Sequence, residues 1–378
     1  MSQPSPGSPV ARPDEREGEL HVGRSVPRTD APDKVTGAAR YAMDLDPGHL
    51  LHAKMVTSQV PHARLVEVDT SAAEALDGVA AVATYDDVPD TRRGQYLLDE
   101  PILATGKVRY VGEPIAVVAA ETEELAERAA SLVEVGYEEL EAVFDLEDAF
   151  GRDPTAVVHD DVRSYEFATQ GDPRYESRGH VDDEDADRPN LMYKDSAHVG
   201  DVEAGFEAAD HVISGEYEVR AFQHCMMEPH VAIAHVRTDQ TVIWTSEQVP
   251  HNVVSELCMA YPDLEPPDLS VRTPYVGGGF GGKITPFHEA RLLAVARLVS
   301  RPVRLALTRA EEFTSSVIRP QVVNRVTDGG TDDGDLVARD VEMLFNSGAY
   351  NEQVFRCTCS GPSATVGSYD VPNVRWNS

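Results

Sequence analysis

The sequence predicts a mixed α/β fold of the α+β kind, and three observations carry that expectation. Apolar, β-branched runs at residues 115–119 and 241–245 read as strands. Stretches at 122–137 and 288–300 place apolar residues on one helical face. Between an extended segment, 269–276, and a helical one, 287–299, five glycines flank a single aromatic: Gly277-Gly278-Gly279-Phe280-Gly281-Gly282. Glycine tolerates positive φ and close backbone approach at an entropic cost, so this loop is expected to wrap a ligand.

The bulk composition sets limits. An apolar content of 41% and a charged content of 26% over 378 residues are those of a soluble globular protein with room for two or three domains. No stretch reaches 18 uninterrupted apolar residues, which argues against a membrane span. A formal charge of −32 argues against nucleic acid, whose phosphates need a basic face. Five lysines stand against 28 arginines, and acids run along nearly the whole chain. Such a surface suits a salt-rich, halophilic cytoplasm, where screening reduces self-repulsion. Cys225, Cys258, Cys357 and Cys359 form no Cys-x-x-Cys pair and read as buried thiols.

Residues 1–21, rich in Pro, Ser and Glu, read as a disordered tail without a signal-peptide core, and the chain as cytoplasmic. Residues 22–150 read as one α/β domain. It opens on a loop with an edge strand at 22–40, then strands at 51–58 and 65–69 and a helix at 71–76 capped by Thr70 or Ser71. Strands at 79–84, 108–111 and 115–119 follow. The helix at 122–137 carries Leu125, Ala126, Ala129, Ala130, Leu132 and Val133 on one face. Residues 151–195, with Asp182, Asp183, Glu184, Asp185 and Asp187 among Gly and Pro, read as a solvated acidic linker that buries no core. They lack the Asp-x-Asp-x-Asp-Gly spacing of a calcium loop.

Residues 196–378 read as a second unit. A helix at 202–208 precedes a strand at 211–220, whose Val212, Ser214, Glu216, Glu218 and Arg220 face one side. Gln223-His224-Cys225-Met226-Met227-Glu228-Pro229-His230 interrupts it. Its histidines and Glu228 are metal ligands by type, but Pro229 breaks any His-Glu-x-x-His zinc helix. The strand at 241–245 leads into Ser246-Glu247-Gln248. After the glycine loop come a helix with Leu292, Leu293, Ala296 and Val299 on one face, a strand at 301–305, and strands near 341–345 and 369–375.

The loop itself admits several readings. Gly277-x-Gly279-x-x-Gly282 satisfies a dinucleotide fingerprint, but no acid follows about 20 residues on. Gly277-x-x-x-x-Gly282-Lys283 nearly makes a phosphate loop, yet Ile284 stands where a Ser or Thr must hold magnesium. A tight turn with Phe280 tucked into the core is the plainest alternative.

Several strings resemble one family in order along the chain. They are Asp33-Lys34-Val35-Thr36-Gly37-Ala38-Ala39-Arg40-Tyr41, Gly112-Glu113-Pro114-Ile115-Ala116-Val117-Val118, Met227-Glu228-Pro229, and Val276-Gly277-Gly278-Gly279-Phe280-Gly281-Gly282-Lys283. Together they resemble the molybdopterin-binding large subunit of the molybdenum hydroxylases, the xanthine dehydrogenase, aldehyde oxidase and carbon monoxide dehydrogenase family. The resemblance implies an a/b hammerhead domain followed by the first half of a molybdopterin-binding domain. It implies a molybdenum–molybdopterin cofactor, with the cytosine dinucleotide form as one option, the metal held by the pterin with no direct protein ligand. Gln248, Gly278, Gly279, Phe280 and Gly281 would contact that cofactor, with the backbone amides of 279–281 facing it. Met227, Glu228 and Ile284 would border the substrate channel. Water would supply oxygen for oxidation of an aldehyde or aromatic heterocycle, and electrons would pass to a [2Fe-2S] small subunit and an FAD-binding medium subunit.

Two departures qualify the substrate and the completeness. Purine-oxidising members carry a Glu and an Arg where this chain has Ile284 and Ser360, which disfavours xanthine. The resemblance places the catalytic base, a Glu, in a C-terminal half; no catalytic residue is assignable among these residues, and a further chain is expected to supply that half. The alternative is a non-catalytic binding or scaffolding remnant of the same fold.

Overall fold

A run of seven small and β-branched residues, Pro114–Ala120, buries every side chain, as a strand covered on both faces must. It lies between Leu51–Thr57 and Val79–Ala83 and is antiparallel to both. The computed structural model describes residues 25–168, 185–351 and 354–378; the tail at 1–21, residues 22–24 and linker residues 169–184 lie outside the described residues. These three strands form one side of a seven-stranded sheet that continues through Val303–Ala306, Val231–Val236, Thr241–Thr245 and Leu269–Arg272. The join is parallel, with Leu51 opposite Val303, so the sheet runs unbroken from the first expected domain into the second. Leu51, Ala119, Ile243, Leu257 and Leu293 belong to one shared core.

Local pattern and tertiary pairing disagree in places. The helix expected at 122–137 is Glu123–Ala130, capped by Thr122, whose hydroxyl accepts from the Leu125 N–H at 3.2 Å. Beyond it Val133, Val135 and Tyr137 keep a period of two, and Glu134–Glu139 is a strand antiparallel to Ala63–Asp69. The opening loop holds a short helix, Ala31–Thr36, instead of an edge strand; Pro32 starts it and Gly37 at φ 74° ends it. The helix after the glycine loop, Glu289–Ala296, is buried all round and not on one face. Its charged residues have internal partners: the Thr245 hydroxyl donates to Glu289, and Arg291 pairs with Glu100.

A second sheet orders Ser196–Val199, Val374–Asn377, Leu336–Asn346, Gln321–Gly330 and His211–Val219. The alternation at 211–220 predicts a half-buried strand. His211–Val219 is instead exposed on both faces apart from Gly215, because it lies at the rim of the sheet. The linker expectation also needs correcting for the part described. Asp185 is buried and bound by Arg188 at 2.8 Å and Lys194 at 2.6 Å, and Tyr193 packs edge-on against Phe355. Nor are the three described thiols buried: Cys225 and Cys357 are exposed and Cys258 is partly so; the Cys359 side chain lies outside what the structure describes. Among the described residues no helix is long and apolar enough to cross a membrane.

Candidate functional site

Four chain segments reach the same edge of the seven-stranded sheet. Thr241–Thr245 and Leu269–Arg272 run parallel, so residues 246–248 and the glycine loop leave on one side. Val231–Val236 is antiparallel to Thr241–Thr245, with Ala232 opposite Thr245. Residues 223–230 therefore arrive at that same side. Val303–Ala306 is antiparallel to Val231–Val236, with Ala306 opposite Val231, and the helix Arg309–Thr314 follows there.

The glycine loop is fastened on both flanks. On one, the Gly277 N–H donates to the Glu228 carboxylate at 2.7 Å, and Lys283 Nζ donates to the same oxygen at 3.1 Å. The Glu228 N–H returns a bond to the Gly277 carbonyl at 3.2 Å. On the other flank, Gln248 Oε1 accepts from the Gly281 N–H at 3.1 Å and the Lys283 N–H at 3.3 Å. Because both of these neighbours are donors, the amide is oriented with its oxygen inward and Nε2 outward as a donor.

Glycine is required here for shape as well as closeness. Gly278 and Gly281 have φ of 99° and 98°, and between them Phe280 sits at φ 53°, a backbone region rare for side-chain-bearing residues. A Cβ on Gly279 would stand 2.2 Å from Gln248 Oε1. The N–H groups of Gly278, Gly279 and Phe280 have no hydrogen-bond partner among the described residues. Three consecutive donors around positive-φ residues form a concavity suited to an anion or an oxygen-rich ligand. Phe280 is 75% exposed, so the reading in which it fills the core is excluded. Of the three amides expected to face a ligand, 279–281, the Gly281 N–H is taken by Gln248.

Gln248, Gly278–Gly281 and Glu228 are thus brought together. Met227 is 92% exposed, its carbonyl accepting from Arg309 at 3.3 Å. Ile284 is half-buried, its carbonyl held by Asn252 at 2.9 Å. Several neighbours lie beyond the sequence-based expectation. A Cβ on Gly282 would lie 2.8 Å from His224 Nδ1, so that ring backs the loop, and burial lowers its pKa. Cys225 shares a positive φ of 53°; among the described residues two of three such side-chain-bearing positions therefore sit in these facing loops, where backbone strain tends to gather. The density of His and polar residues at 223–230 is the available signal.

A buried polar layer lies under the loop. His230 Nε2 donates to the Gly282 carbonyl at 3.0 Å, and Nδ1 meets Glu312 at 2.9 Å. Burial opposes ionisation of Glu312, but the His230 ring and N–H and the Ser316 hydroxyl outweigh it and hold its pKa to about 2. The His288 ring meets His230 edge-on at 5.3 Å, and burial lowers its pKa to about 4. The loop's exit is held by the first domain: Arg93 donates to the Pro286 carbonyl, and the Thr285 hydroxyl donates to Gln95 at 3.1 Å. A separate cavity of about 680 Å³, lined by His62, Phe150, Met343 and Phe345 among others, contains none of the loop residues.

Comparison with known proteins bears on this arrangement. A family profile described as "Molybdopterin cofactor-binding domain" matches residues 184–378, and one described as "Aldehyde oxidase and xanthine dehydrogenase, a/b hammerhead domain" matches 36–141. The nicotinate dehydrogenase large molybdopterin subunit of Eubacterium barkeri is 32% identical over 358 residues, covering 94% of this chain and 77% of that protein. A probable xanthine dehydrogenase subunit of Bacillus subtilis (strain 168) is 32% identical over 92% of this chain and 43% of its own length. Among solved structures, the aldehyde oxidoreductase from Desulfovibrio gigas superposes with a TM-score of 0.77 at 27% identity, over 93% of this chain and 37% of that one. Quinoline 2-oxidoreductase from Pseudomonas putida 86 gives 0.77 at 29% identity, over 94% and 44%. The chain spans less than half the length of the last three.

Proposed function

The chain belongs to the aldehyde oxidase and xanthine dehydrogenase family of molybdopterin-binding proteins, and on that premise we propose that it is the large subunit of a molybdenum hydroxylase whose glycine loop cradles the pterin cofactor. The observation that supports this is the row of unpaired N–H groups at Gly278, Gly279 and Phe280, beside the outward Gln248 amide. Such a cofactor carries oxo, sulfur and phosphate acceptors, so these donors fit it. A neutral amide donates without adding charge beside a metal.

When bound, the cofactor supplies the redox chemistry, with water as the oxygen donor. The chain's own residues bind and orient. Gly278, Gly279, Phe280 and Gln248 donate, and Gly281 keeps Gln248 in register. Glu228 Oε2 is engaged by Lys283 and the Gly277 N–H, so this carboxylate anchors the loop. Among the described residues none is assigned as the base, and the electrons are assigned to [2Fe-2S] and FAD-binding partner subunits.

For substrate we favour an aromatic heterocycle or an aldehyde, entering past Met227 and Ile284. Ile284 offers an apolar side chain to a flat ring, and two relatives are named for nicotinate and quinoline.

Gly281→Val tests the cradle. At φ 98° a β-branched residue is strained, and the Gln248 contact is lost with it, so molybdenum per chain is expected to fall about tenfold while circular dichroism is unchanged. Folded protein with unaltered molybdenum would rule the cradle out.

A further inference from the structure

The cavity of about 680 Å³ that shares no residue with the glycine loop has the size of a small-molecule site. Its wall joins the first domain, through His62, Arg109, Phe144 and Phe150, to Met343 and Phe345 of the Leu336–Asn346 strand. Two polar groups in that wall have bonding capacity to spare. His62 is 7% exposed, and its Nδ1 is spent on the Glu141 carbonyl at 2.6 Å. Its Nε2 is buried without a hydrogen-bond partner, a condition rare enough in folded proteins to call for an occupant. Arg109 is held by Nε to the Val158 carbonyl at 3.3 Å and by Nη1 to the Tyr350 hydroxyl at 3.2 Å, while Nη2 has no hydrogen-bond partner among the described residues. The two side chains are neighbours. Ala63 pairs with Val108 and Arg64 with Lys107, and the same register carried one position on sets His62 opposite Arg109, on one face of the sheet.

We propose that this cavity is a second small-molecule site, for a hydroxylated aromatic carboxylate. Arg109 Nη2 takes the carboxylate, from a guanidinium already fixed in place. His62 Nε2 takes the hydroxyl, a group that both donates and accepts and so satisfies the ring in either protonation state. Phe150, Met343 and Phe345 hold the aromatic ring, and Phe144, 77% exposed, gives the wall an apolar lip.

Arg109 is the cation left over once the other charges of the wall are matched. Asp185 holds Arg188 and Lys194, Glu342 holds Arg325, and Asp145 accepts from the Asp148 N–H. Glu113 accepts from the Tyr350 hydroxyl and the Arg109 main-chain N–H, and it forms no ion pair with the guanidinium among the described residues.

Calorimetric titration of the full chain with 3-hydroxybenzoate, benzoate and phenol separates the contacts. 3-Hydroxybenzoate is expected to bind with a Kd on the order of 100 µM. Benzoate and phenol, each lacking one polar contact, should bind about tenfold more weakly. His62→Phe should erase the preference for 3-hydroxybenzoate over benzoate and leave benzoate binding as it was. Arg109→Gln should weaken both acids about tenfold and leave phenol unchanged. The His62 variant keeps the experiment decisive should Arg109→Gln fail to fold. No binding of 3-hydroxybenzoate up to about 10 mM, which would leave the cavity to water or to a polypeptide, overturns the proposal. So does binding indifferent to both substitutions. Failure of the cofactor cradle would leave these affinities as they are, since the cavity contains none of its residues.

Discussion

Replacing Glu100 with glutamine is expected to lower the thermal midpoint by roughly 10 °C, because it breaks a buried charge network without removing volume. Arg93, Glu100, Glu256 and Arg291 are all buried. Glu100 bridges the two arginines, and Arg93 Nε donates to Glu256 at 2.7 Å. Arg93 and Arg291 also donate to the carbonyls of Pro286 and Phe287, and Arg291 Nε reaches the Ile102 carbonyl at 3.2 Å. The Glu100→Gln change would turn one acceptor into an amide donor facing a guanidinium. Removing one partner of a buried pair costs about 3–5 kcal/mol, against at most about 1 kcal/mol for an exposed one. Arg325, half-exposed and bound to Glu147, Glu216 and Glu342, is the control, and Arg325→Gln should move the midpoint by no more than about 2 °C. Equal shifts in the two variants would show that the buried network is not what joins the first domain to the loop's exit.

Acid should unfold the protein early. Burial holds His159 and His288 to a pKa of about 4, while the unfolded chain titrates near the ordinary 6.5. As pH falls from 6.5 toward 4 the unfolded chain gains two protons that the fold refuses. Stability present above 6.5 is therefore lost through that window, by roughly 3 kcal/mol between pH 6.5 and 5. Glu312, held to about 2, adds a further loss below its ordinary 4.5. Glu113, raised by burial, works the other way, one group against three. Urea midpoints in about 1 M potassium chloride, where surface repulsion is screened, should fall steadily from pH 7 to 5. His159→Gln should halve the slope. Stability that is flat or rising over that range would contradict the assignment of these histidines as neutral.

What is legible in the sequence is local. The glycine loop, Gln248 at the end of the Thr241–Thr245 strand and the buried Pro114–Ala120 strand each depend on a few neighbouring residues, and each shows as a pattern. The Glu134–Glu139 strand reads as helix because Leu132 and Val133 prolong the apolar face of Glu123–Ala130. Only pairing with Ala63–Asp69 decides against that. The Val231–Val236 and Gln321–Gly330 strands are hidden beside an irregular loop and a charged surface. Polarity alone assigns Glu289 and Arg291 to a solvent face, whereas their partners Thr245 and Glu100 lie far away in the chain. The same holds for His230 and Glu312, 82 positions apart: no periodicity links a strand-end histidine to a carboxylate on the Arg309–Thr314 helix.

The central claim is a location, and anomalous scattering at the molybdenum edge tests it most directly. In crystals of the molybdenum-loaded complex, the anomalous peak is predicted beside the Gln248 amide, with cofactor density within hydrogen-bonding reach of the Gly278, Gly279 and Phe280 N–H groups. A molybdenum peak elsewhere, with those three N–H groups facing only solvent, would contradict the account.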